Sequence, residues 1–459
     1  MRAETPPRRG GRDLLQGFAV WTLLLTLVPS ASAQPVIEVT EVPTASVAPT
    51  LAGLDPASAA GAAFAAGWEG YTDLRLTDAI AYWQEAVAQA DDPQASRDLR
   101  AWLAEATRRV AQQNRDSVLQ AVAVAHARRV LAEDACHSHA HLALADALNP
   151  QFFISSLASA DSAWHHIQRA VGCDPDDGNA WVSTWVEAVR RGDTARADRA
   201  LDELARVGFW TPPAMAFARW TLLNVPEGAV LLTNGDADTV PMRIAQAVEG
   251  LRPDVAVVNV PLLDVPEVAR HVAATEGLPL PDTVEAFLAR YDARGSSDSP
   301  DGRLYTLRDA VLDRWLAASA DGSLGRPLVA ALTLDPGLLG FKTGLVDAGA
   351  VLVPSSEPGF DADAARAAFV GLDGVAFQGA LVHPSDRSPV RRAFPFDPGS
   401  IVLFQMLQTA VTFAQALQPA DAEAVLADAI VFAAAAGRPD DPLIATAREW
   451  LDADWGGEP

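Results

Sequence analysis

Two aspartates, Asp236 and Asp238, are the residues of this chain whose types and spacing best suit a chemical role. They lie in the loop NGDADT, which follows the apolar run AVLLT at 229–233. Two carboxylates at neighbouring loop positions can hold a divalent cation, because hard cations prefer oxygen ligands. The cation would neutralise a phosphate or sugar-phosphate, which a helix N-terminus also attracts. This hypothesis makes Asp236 and Asp238 the metal ligands of a candidate ligand-binding loop, whose members are Asn234, Gly235, Asp236, Asp238 and Thr239.

The same loop also has a structural interpretation. Asp238 or Thr239 can cap a helix by accepting backbone N–H groups, which stabilises the helix by about 1 kcal/mol. Asp236 would then brace the neighbouring loop. The sequence contains no Gly-x-Ser-x-Gly, no Gly-x-Gly-x-x-Gly and no lysine-bearing phosphate loop. We favour the cap for Asp238, predict no catalytic residue, and leave the question of enzyme activity open with a preference for a non-enzyme.

The segment CHSHAH at 136–141 is a second candidate for metal binding, together with His165 and His166. Alternate residues of a helix point about 200° apart, so the three histidines of this segment cannot share one helical face. Their spacing matches no standard zinc pattern, and we interpret the segment as a polar turn between repeats. Cys136 and Cys173 are the only cysteines. Two cysteines are not a disulfide framework, and the sequence favours free thiols while leaving a bridge open.

The candidate loop must be positioned by the elements around it. Residues 229–233 and 255–260 have the uncharged, β-rich character of buried strands, and 242–248 has helical character. Pro241 suits the first turn of that helix and Gly250 suits its end. Strand, helix and strand within this length predict a parallel βαβ unit. The loop then lies at the carboxyl end of the first strand, where open α/β sheets bind ligands.

The remaining chain predicts more elements of the same kind up to residue 398. Strands are expected at 327–333, 350–353 and 377–382, and helices at 264–274, 282–291 and 305–319. After Pro398 we expect two or three helices that end near Trp455. The pattern therefore predicts a Rossmann-like parallel α/β domain at 209–398, followed by C-terminal helices at 399–459.

Residues 57–208 show helical periodicity and an internal repeat. Ala163 and Ile167 are matched 34 residues later by Ala197 and Leu201, and an earlier unit keeps similar spacing with Gly67, Ala79, Trp83, Ala86 and Pro93. This period and these small residues resemble tetratricopeptide repeats. Such repeats stack and leave a concave groove. The resemblance implies an α plus α/β chain with a protein or peptide partner in the repeat groove.

The N-terminus predicts export. Residues 1–33 contain an arginine-rich head, an apolar stretch and the small residues Ala31, Ser32 and Ala33, which is typical of a signal peptide cut after Ala33. An uncleaved membrane anchor is the alternative. Residues 34–56 read as a linker. We expect a periplasmic or secreted protein with no membrane span after cleavage, since no second segment reaches spanning length.

The formal charge of −24 limits the classes of partner. A charge of this sign repels nucleic-acid phosphates and anionic lipid surfaces. We therefore predict no nucleic-acid partner. The oligomeric state stays open.

The stretch LLTNGDADTVPMRIAQAVEGLRPDVAVVNVPLLDVP at 231–266 resembles the soluble tail of bacterial membrane proteins classed as protein O-mannosyltransferase-like. In that tail a strand ends in a Gly-Asp-Asn-Asp-Thr loop, and a Val-Val-Asn strand follows an Arg-x-Asp-Val stretch. This sequence has Ala237 where the family has the loop Asn, and its Arg252, Asp254 and Val255 match the later stretch. Residues 325–354 resemble the family's later strand. Because the multi-span part that carries the transferase chemistry is absent, the resemblance implies an exported accessory domain.

Together these patterns predict an exported tetratricopeptide-repeat scaffold or binding protein of the bacterial cell envelope, whose α/β domain binds a polar ligand. The alternative is a carbohydrate-active or phosphate-ester enzyme, or an accessory subunit of a glycosyltransferase. That alternative would use a divalent cation at the NGDADT loop as its cofactor.

Overall fold

The structure is a computed structural model that describes residues 48–153, 155–294, 305–335, 339, 344–381, 383–387, 397–416 and 418–452. The expected signal peptide at 1–33, most of the linker at 34–56, and Trp455 lie outside these residues. The described chain contains 17 α-helices and one six-stranded sheet. None of its helices combines the length and the apolar composition that a membrane crossing requires.

Eight helices form the first part of the described chain, and consecutive helices pack against each other. They are α1 Ala59–Thr72, α2 Leu76–Gln89, α3 Pro93–Asn114, α4 Ser117–Glu133, α5 Ser138–Leu148, α6 Ala160–Cys173, α7 Gly178–Arg191 and α8 Thr194–Val207. Most of them begin where a short polar side chain accepts a backbone N–H of the first turn, as Asp92 does for α3 and Asp193 does for α8. Such caps define where each helix begins.

Small residues let these helices approach closely. A Cβ added to Gly67 of α1 would lie 2.2 Å from Nε1 of Trp83, whose ring is fully buried. The matched positions Ala163, Ile167 and Leu201 are all buried. Gly192 ends α7 with a φ of +67°, a left-handed conformation that glycine adopts without steric cost. Gly192 and Asp193 therefore form the turn between α7 and α8.

The two cysteines form a disulfide, which corrects the expectation of free thiols. Cys136 precedes α5 and Cys173 is the last residue of α6, and their Cα atoms are 5.1 Å apart. Packing of α5 against α6 brings the two ends together. This helix pairing depends on contacts distant in the sequence, and cysteine spacing alone could not supply it.

The six-stranded sheet has the order β2-β1-β3-β5-β4-β6. Its strands are β1 Val230–Thr233, β2 Ala256–Asn259, β3 Leu328–Ala331, β4 Gly344–Asp347, β5 Val351–Ser355 and β6 Gly359–Phe360. β1 is parallel to both β2 and β3, whereas β5 is antiparallel to β3 and to β4. The sheet is therefore mixed: the expected parallel arrangement joins β2, β1 and β3, and the only other parallel pair among the described strands is β4 with β6.

Helices cover both faces of the sheet. They are α9 Pro212–Leu223, α10 Asp236–Ala247, α11 Pro266–Glu276, α12 Val284–Arg294, α13 Leu307–Ala320 and α14 Ala362–Ala368. Val230 and Leu232 point into a core shared with α11 to α13, while Leu231 points into a core shared with α7 to α10. This alternation follows from the two-residue period of a strand. The second core joins the helical part to the sheet without a break.

One predicted strand is wrong and two observed strands were missed. Residues 377–382 were expected to form a strand, but Phe377 ends a short 3₁₀ helix, Gly374–Phe377, and packs against Phe432. Residues 378–380 are exposed, and residues 377–381 have no strand partner among the described residues. The short strands β4 and β6 were not predicted.

Three helices end the described chain, as expected after Pro398. They are α15 Pro398–Gln415, α16 Pro419–Ala435 and α17 Pro442–Asp452. Their apolar faces share a core with Phe217 and Trp220 of α9. All described residues belong to one compact unit. Its hydrophobic cores include residues from both sides of the expected domain boundaries at 208 and 398. These two boundaries therefore stay predictions.

Candidate ligand site

A cavity of about 730 Å³ lies between the helical part and the carboxyl edge of the sheet. The sheet side is lined by Asn234, Asp236 and Asn259, and the helical side by Glu105 of α3 and His139 of α5. The volume is in the range of small-molecule sites in proteins. The ends of β1, β2 and β3 all contribute to its wall, as expected where parallel strands end at the same edge.

Asp238 acts as a helix cap, but from inside the helix. α10 begins at Asp236, so Asp238 is its third residue and reaches back to the preceding loop. Its Oδ2 accepts the backbone N–H of Asn234 at 2.8 Å, and its Oδ1 accepts that of Gly235 at 3.0 Å. The Thr333 hydroxyl, just beyond β3, donates to Oδ2 at 2.6 Å. The capping preference is therefore supported by the geometry, although Asp238 is not the residue that precedes the helix.

These contacts determine how far the Asp238 carboxylate is available to a metal ion or a ligand. The side chain is only 7 % exposed, and burial raises its pKa, while the hydrogen bonds from Thr333, Asn234 and Gly235 act in the opposite direction. Both oxygens already accept protein donors. Within the described ranges no group of three or more His, Cys, Asp or Glu side chains is arranged to hold a metal ion. Metal binding by Asp236 and Asp238 stays a prediction.

Thr239 has a different environment from the other candidate residues. It is 1 % exposed, and its hydroxyl lies 2.6 Å from that of Thr233, which donates to the carbonyl of Val258. This chain of hydrogen bonds joins α10 to β1 and β2. Thr239 is thus a structural residue, while the other four candidates, Asn234, Gly235, Asp236 and Asp238, line the cavity.

Asp236 is the first residue of α10 and is partly exposed toward the cavity. Burial raises the pKa of its carboxyl to about 6; the hydrogen bond from Asn259 lowers this pKa and the nearby Asp238 raises it. Asn259 donates from Nδ2 to Oδ1 of Asp236 at 3.1 Å. No ion pair to Asp236 occurs among the described residues. A carboxyl with a pKa near neutrality in a cavity is a common property of binding and catalytic sites.

Asn259 was not predicted as a site residue. It is the last residue of β2 and pairs in register with Thr233, the last residue of β1. Its own Oδ1 is buried and has no hydrogen-bond partner among the described residues. The signal in the sequence was available, because Asn259 ends the second strand of a parallel pair at the edge where the loop lies.

Pro241 contributes to the same wall from within α10, which corrects its expected position in the first helical turn. Proline has no N–H group, so the carbonyl of Ala237 lacks its partner four residues later in the helix. Ala237 and Pro241 both line the cavity. The carbonyl of Ala237 therefore accepts no helical hydrogen bond from residue 241.

The helical wall carries a buried network around Glu105. Its carboxylate accepts hydrogen bonds from Arg108 and Arg109, each at 2.6 Å, and one of its oxygens lies 3.1 Å from the hydroxyl oxygen of Tyr71. Burial acts to raise the pKa of Glu105, but the two guanidinium groups outweigh it and hold the pKa below its usual range. Arg108 also pairs with Asp146 at 2.8 Å. The two carboxylates, Glu105 and Asp146, and the two guanidinium groups, Arg108 and Arg109, therefore balance one another in charge.

The histidines do not form a metal site in the described part of the chain. His137 caps α5, and His141 lies with its Nδ1 2.9 Å from that of His166. His139 lines the cavity and contacts the ring of Trp102. Burial, and next the charge of Arg387, holds the pKa of His139 well below its usual value. Its Nε2 has no hydrogen-bond partner within the described residues.

Residues 214–285 match a family model described as TMEM260-associated domain 2. The matched range includes the whole candidate loop and Asn259, and it covers the first of the two stretches on which the membrane-protein resemblance rests, 231–266. It does not reach the second stretch, 325–354. No curated protein matches the chain.

Proposed function

We propose that this chain is a binding protein whose cavity holds a small polar ligand, with Asp236 as the main acceptor of its hydrogen bonds. The observation that carries the proposal is the environment of Asp236. Its carboxylate lines the cavity, receives a hydrogen bond from Asn259 and has a pKa raised to about 6. A desolvated carboxylate is costly unless a donor satisfies it, and a ligand would supply that donor.

The acceptors on the sheet side determine the chemical class of this ligand. Asp236 and Asn259 line one end of the cavity, and the carboxylate of the first and the unpartnered Oδ1 of the second are both acceptors. A ligand with hydroxyl or ammonium groups would satisfy them, whereas a phosphate would face Asp236 and Asp238 without a compensating cation. We therefore assign a hydroxyl-rich or amine ligand.

The wider assignments are proposals as well. The 34-residue spacing and the packed helix pairs support a tetratricopeptide-like scaffold at 57–208 that binds a protein or peptide. The three parallel strands β2, β1 and β3 support a Rossmann-like domain. The family match at 214–285 and the arginine-rich N-terminus support an exported, envelope-located relative of the O-mannosyltransferase-like proteins.

The test is a thermal-shift screen of the full chain with monosaccharides, disaccharides, polyols and diamines. We expect a stabilising compound for the parent and no response for Asp236→Asn. Asp363→Asn is the matched control, because Asp363 is an exposed acid in the first turn of α14. If the compound stabilises Asp236→Asn as much as the parent, Asp236 is not the acceptor.

A calorimetric titration of the same two chains tests the metal hypothesis. Mg²⁺, Mn²⁺ and Ca²⁺ are titrated calorimetrically into the parent and into Asp236→Asn. We expect no saturable heat from either chain. A cation that binds the parent and not the variant would contradict the proposed binding of a hydroxyl-rich or amine ligand and would favour the metal-dependent enzyme.

A further inference from the structure

A short segment of the chain, residues 383–387, lies across the helical part. The side-chain amide of Asn179 in α7 bonds to its backbone twice: Nδ2 donates to the carbonyl of Ser385 at 2.7 Å, and Oδ1 accepts the N–H of Arg387 at 3.0 Å. This pairing satisfies both a donor and an acceptor of the segment, which begins with a turn in which the N–H of Asp386 donates to the carbonyl of His383 at 2.9 Å. Residues 383–387 belong to no helix or strand.

A third backbone contact comes from α1. The hydroxyl of Tyr71 has one proton, and the nearer of its two acceptors is the carbonyl of Arg387 at 2.9 Å, with Glu105 at 3.1 Å. Tyr71 and Asn179 are on helices far apart in the sequence, yet both contact the three-residue stretch 385–387. Because all three hydrogen bonds go to backbone groups, they do not depend on the side chains of the segment.

The side chain of Arg387 supplies a contact that does depend on sequence. Its Nη1 lies 2.9 Å from Oδ2 of Asp177, a residue that is only 3 % exposed. Asp177 also caps α7 and accepts a hydrogen bond from Ser138 at 2.7 Å. The guanidinium of Arg387 adds a positive charge to the hydrogen bonds that this buried carboxylate already accepts, so an arginine is favoured here over a neutral side chain.

We propose that Tyr71, Asp177 and Asn179 form a site for a short peptide that leaves a turn, and that the chain's own residues 385–387 occupy it as an intramolecular ligand. The external partner is a protein segment with the same kind of turn and an arginine at the position of Arg387. Backbone contacts to Tyr71 and Asn179 supply affinity, and Asp177 supplies selectivity for the arginine. The peptide site does not depend on the ligand of the Asp236 cavity, although Asp386 and Arg387 line that cavity too.

An intramolecular ligand competes at an effective concentration in the millimolar range. The parent should therefore bind an external peptide weakly, and a variant with a weakened internal segment should bind it more tightly. The probe is the fluorescein-labelled peptide GALVHPSDR, which corresponds to residues 379–387, with a C-terminal amide that preserves the carbonyl contact to Tyr71. Affinity is measured by fluorescence anisotropy with the full chain.

We expect Arg387→Ala to bind the peptide at least tenfold more tightly than the parent. Adding Tyr71→Phe to this variant, which keeps the ring and removes the hydroxyl, should weaken binding several-fold, and adding Asn179→Ala should weaken it further. A peptide with alanine in place of its arginine should bind at least tenfold more weakly. Arg387→Gln keeps a long polar side chain but lacks the positive charge. It is the second variant with a weakened internal segment, in case Arg387→Ala does not fold.

Two results would overturn the proposal. If neither Arg387→Ala nor Arg387→Gln binds the peptide more tightly than the parent, residues 383–387 only fasten the helical part to the rest of the fold. If the alanine peptide binds as well as the arginine peptide, Asp177 does not select the occupant. Neither result depends on Asp236, so failure of this site and failure of the proposed cavity function are distinguishable.

Discussion

Asn259 donates a hydrogen bond from Nδ2 to the Oδ1 of Asp236 over 3.1 Å. The contact joins the last residue of β2 to the first residue of α10, and it is possible because Thr233 and Asn259 are paired in register at the ends of parallel strands. Asn259 is neutral and provides one donor, so it compensates only part of the cost of desolvating the carboxylate. The folded chain therefore holds a destabilising acid at the cavity wall.

Asp236→Asn is expected to stabilise the chain above pH 6. The pKa of Asp236 is raised to about 6 from 3.8, so between these values the folded state binds more protons than the unfolded state. The free energy of unfolding consequently falls as the pH rises through this window. Because Asp236 is partly exposed, we expect a gain of about 1–3 kcal/mol at pH 7.5 for the variant. Urea unfolding followed by tryptophan fluorescence measures it.

The pH dependence distinguishes this effect from a simple change in packing. The difference in unfolding free energy between Asp236→Asn and the parent should be close to zero below pH 4 and should reach its plateau above pH 6. Asp363→Asn, on an exposed first turn, should show no such rise. A difference that is constant between pH 4 and pH 8 would mean that the carboxyl of Asp236 is not desolvated.

Asp238 should not tolerate serine. Its two oxygens accept two backbone N–H groups and the Thr333 hydroxyl, and a serine hydroxyl at this position is a single, nearer oxygen. We expect Asp238→Ala and Asp238→Ser to lower the free energy of unfolding by about 2–4 kcal/mol, since buried donors lose their acceptor. Asp238→Asn keeps one carbonyl oxygen and should lose less. Equal stability of the serine variant and the parent would argue against a cap in which Asp238 accepts the N–H groups of Asn234 and Gly235.

The local elements of the site could be predicted from the sequence, but its partners could not. The apolar run at 229–233 and the residues NGDADT specify a buried strand followed by a capped helix, and both are observed. The cavity also needs Glu105 and His139, which precede the loop by about a hundred residues and face it only through tertiary packing. No local pattern contains that information.

The errors in predicting the strands have the same cause, namely contacts with residues distant in the sequence. Residues 377–382 look like a strand because they are apolar, but Phe377 is buried against Phe432 of α16. β4 contains Asp347, which reads as a loop residue, and its pairing with β5 decides its conformation. Short strands depend on their neighbours more than on their own composition.

The disulfide should contribute substantially to stability. Cys136 and Cys173 are separated by 37 residues, and closing a loop of that length lowers the entropy of the unfolded chain by an amount worth about 3–4 kcal/mol. We expect the double variant Cys136→Ser, Cys173→Ser to be less stable than the parent by about this amount in urea. Reductant should lower the stability of the parent and leave that of the double variant unchanged. A parent with two titratable thiols after oxidative purification would contradict the bridge.

Two arginines in the left-handed region of backbone conformation should respond in opposite ways to glycine. Arg115 has a φ of +52° at the end of α3, and Arg252 has a φ of +45° before β2. Arg115 is exposed, and its side chain makes no hydrogen bond or ion pair within the described residues. The guanidinium of Arg252 donates to the carbonyls of Leu222, Val225 and Pro226 and pairs with Asp254.

Glycine relieves the left-handed backbone at either position, which is worth about 1 kcal/mol. Arg115→Gly should therefore raise the free energy of unfolding by up to about 1 kcal/mol. Arg252→Gly loses three hydrogen bonds that hold the end of α9 and the loop after it against the segment before β2, at about 1 kcal/mol each, so a net loss of about 2 kcal/mol is expected. Arg252→Lys should also be destabilising, because a single ammonium cannot reproduce the planar fork. If Arg252→Gly is as stable as Arg115→Gly, the three carbonyl contacts contribute nothing to the fold.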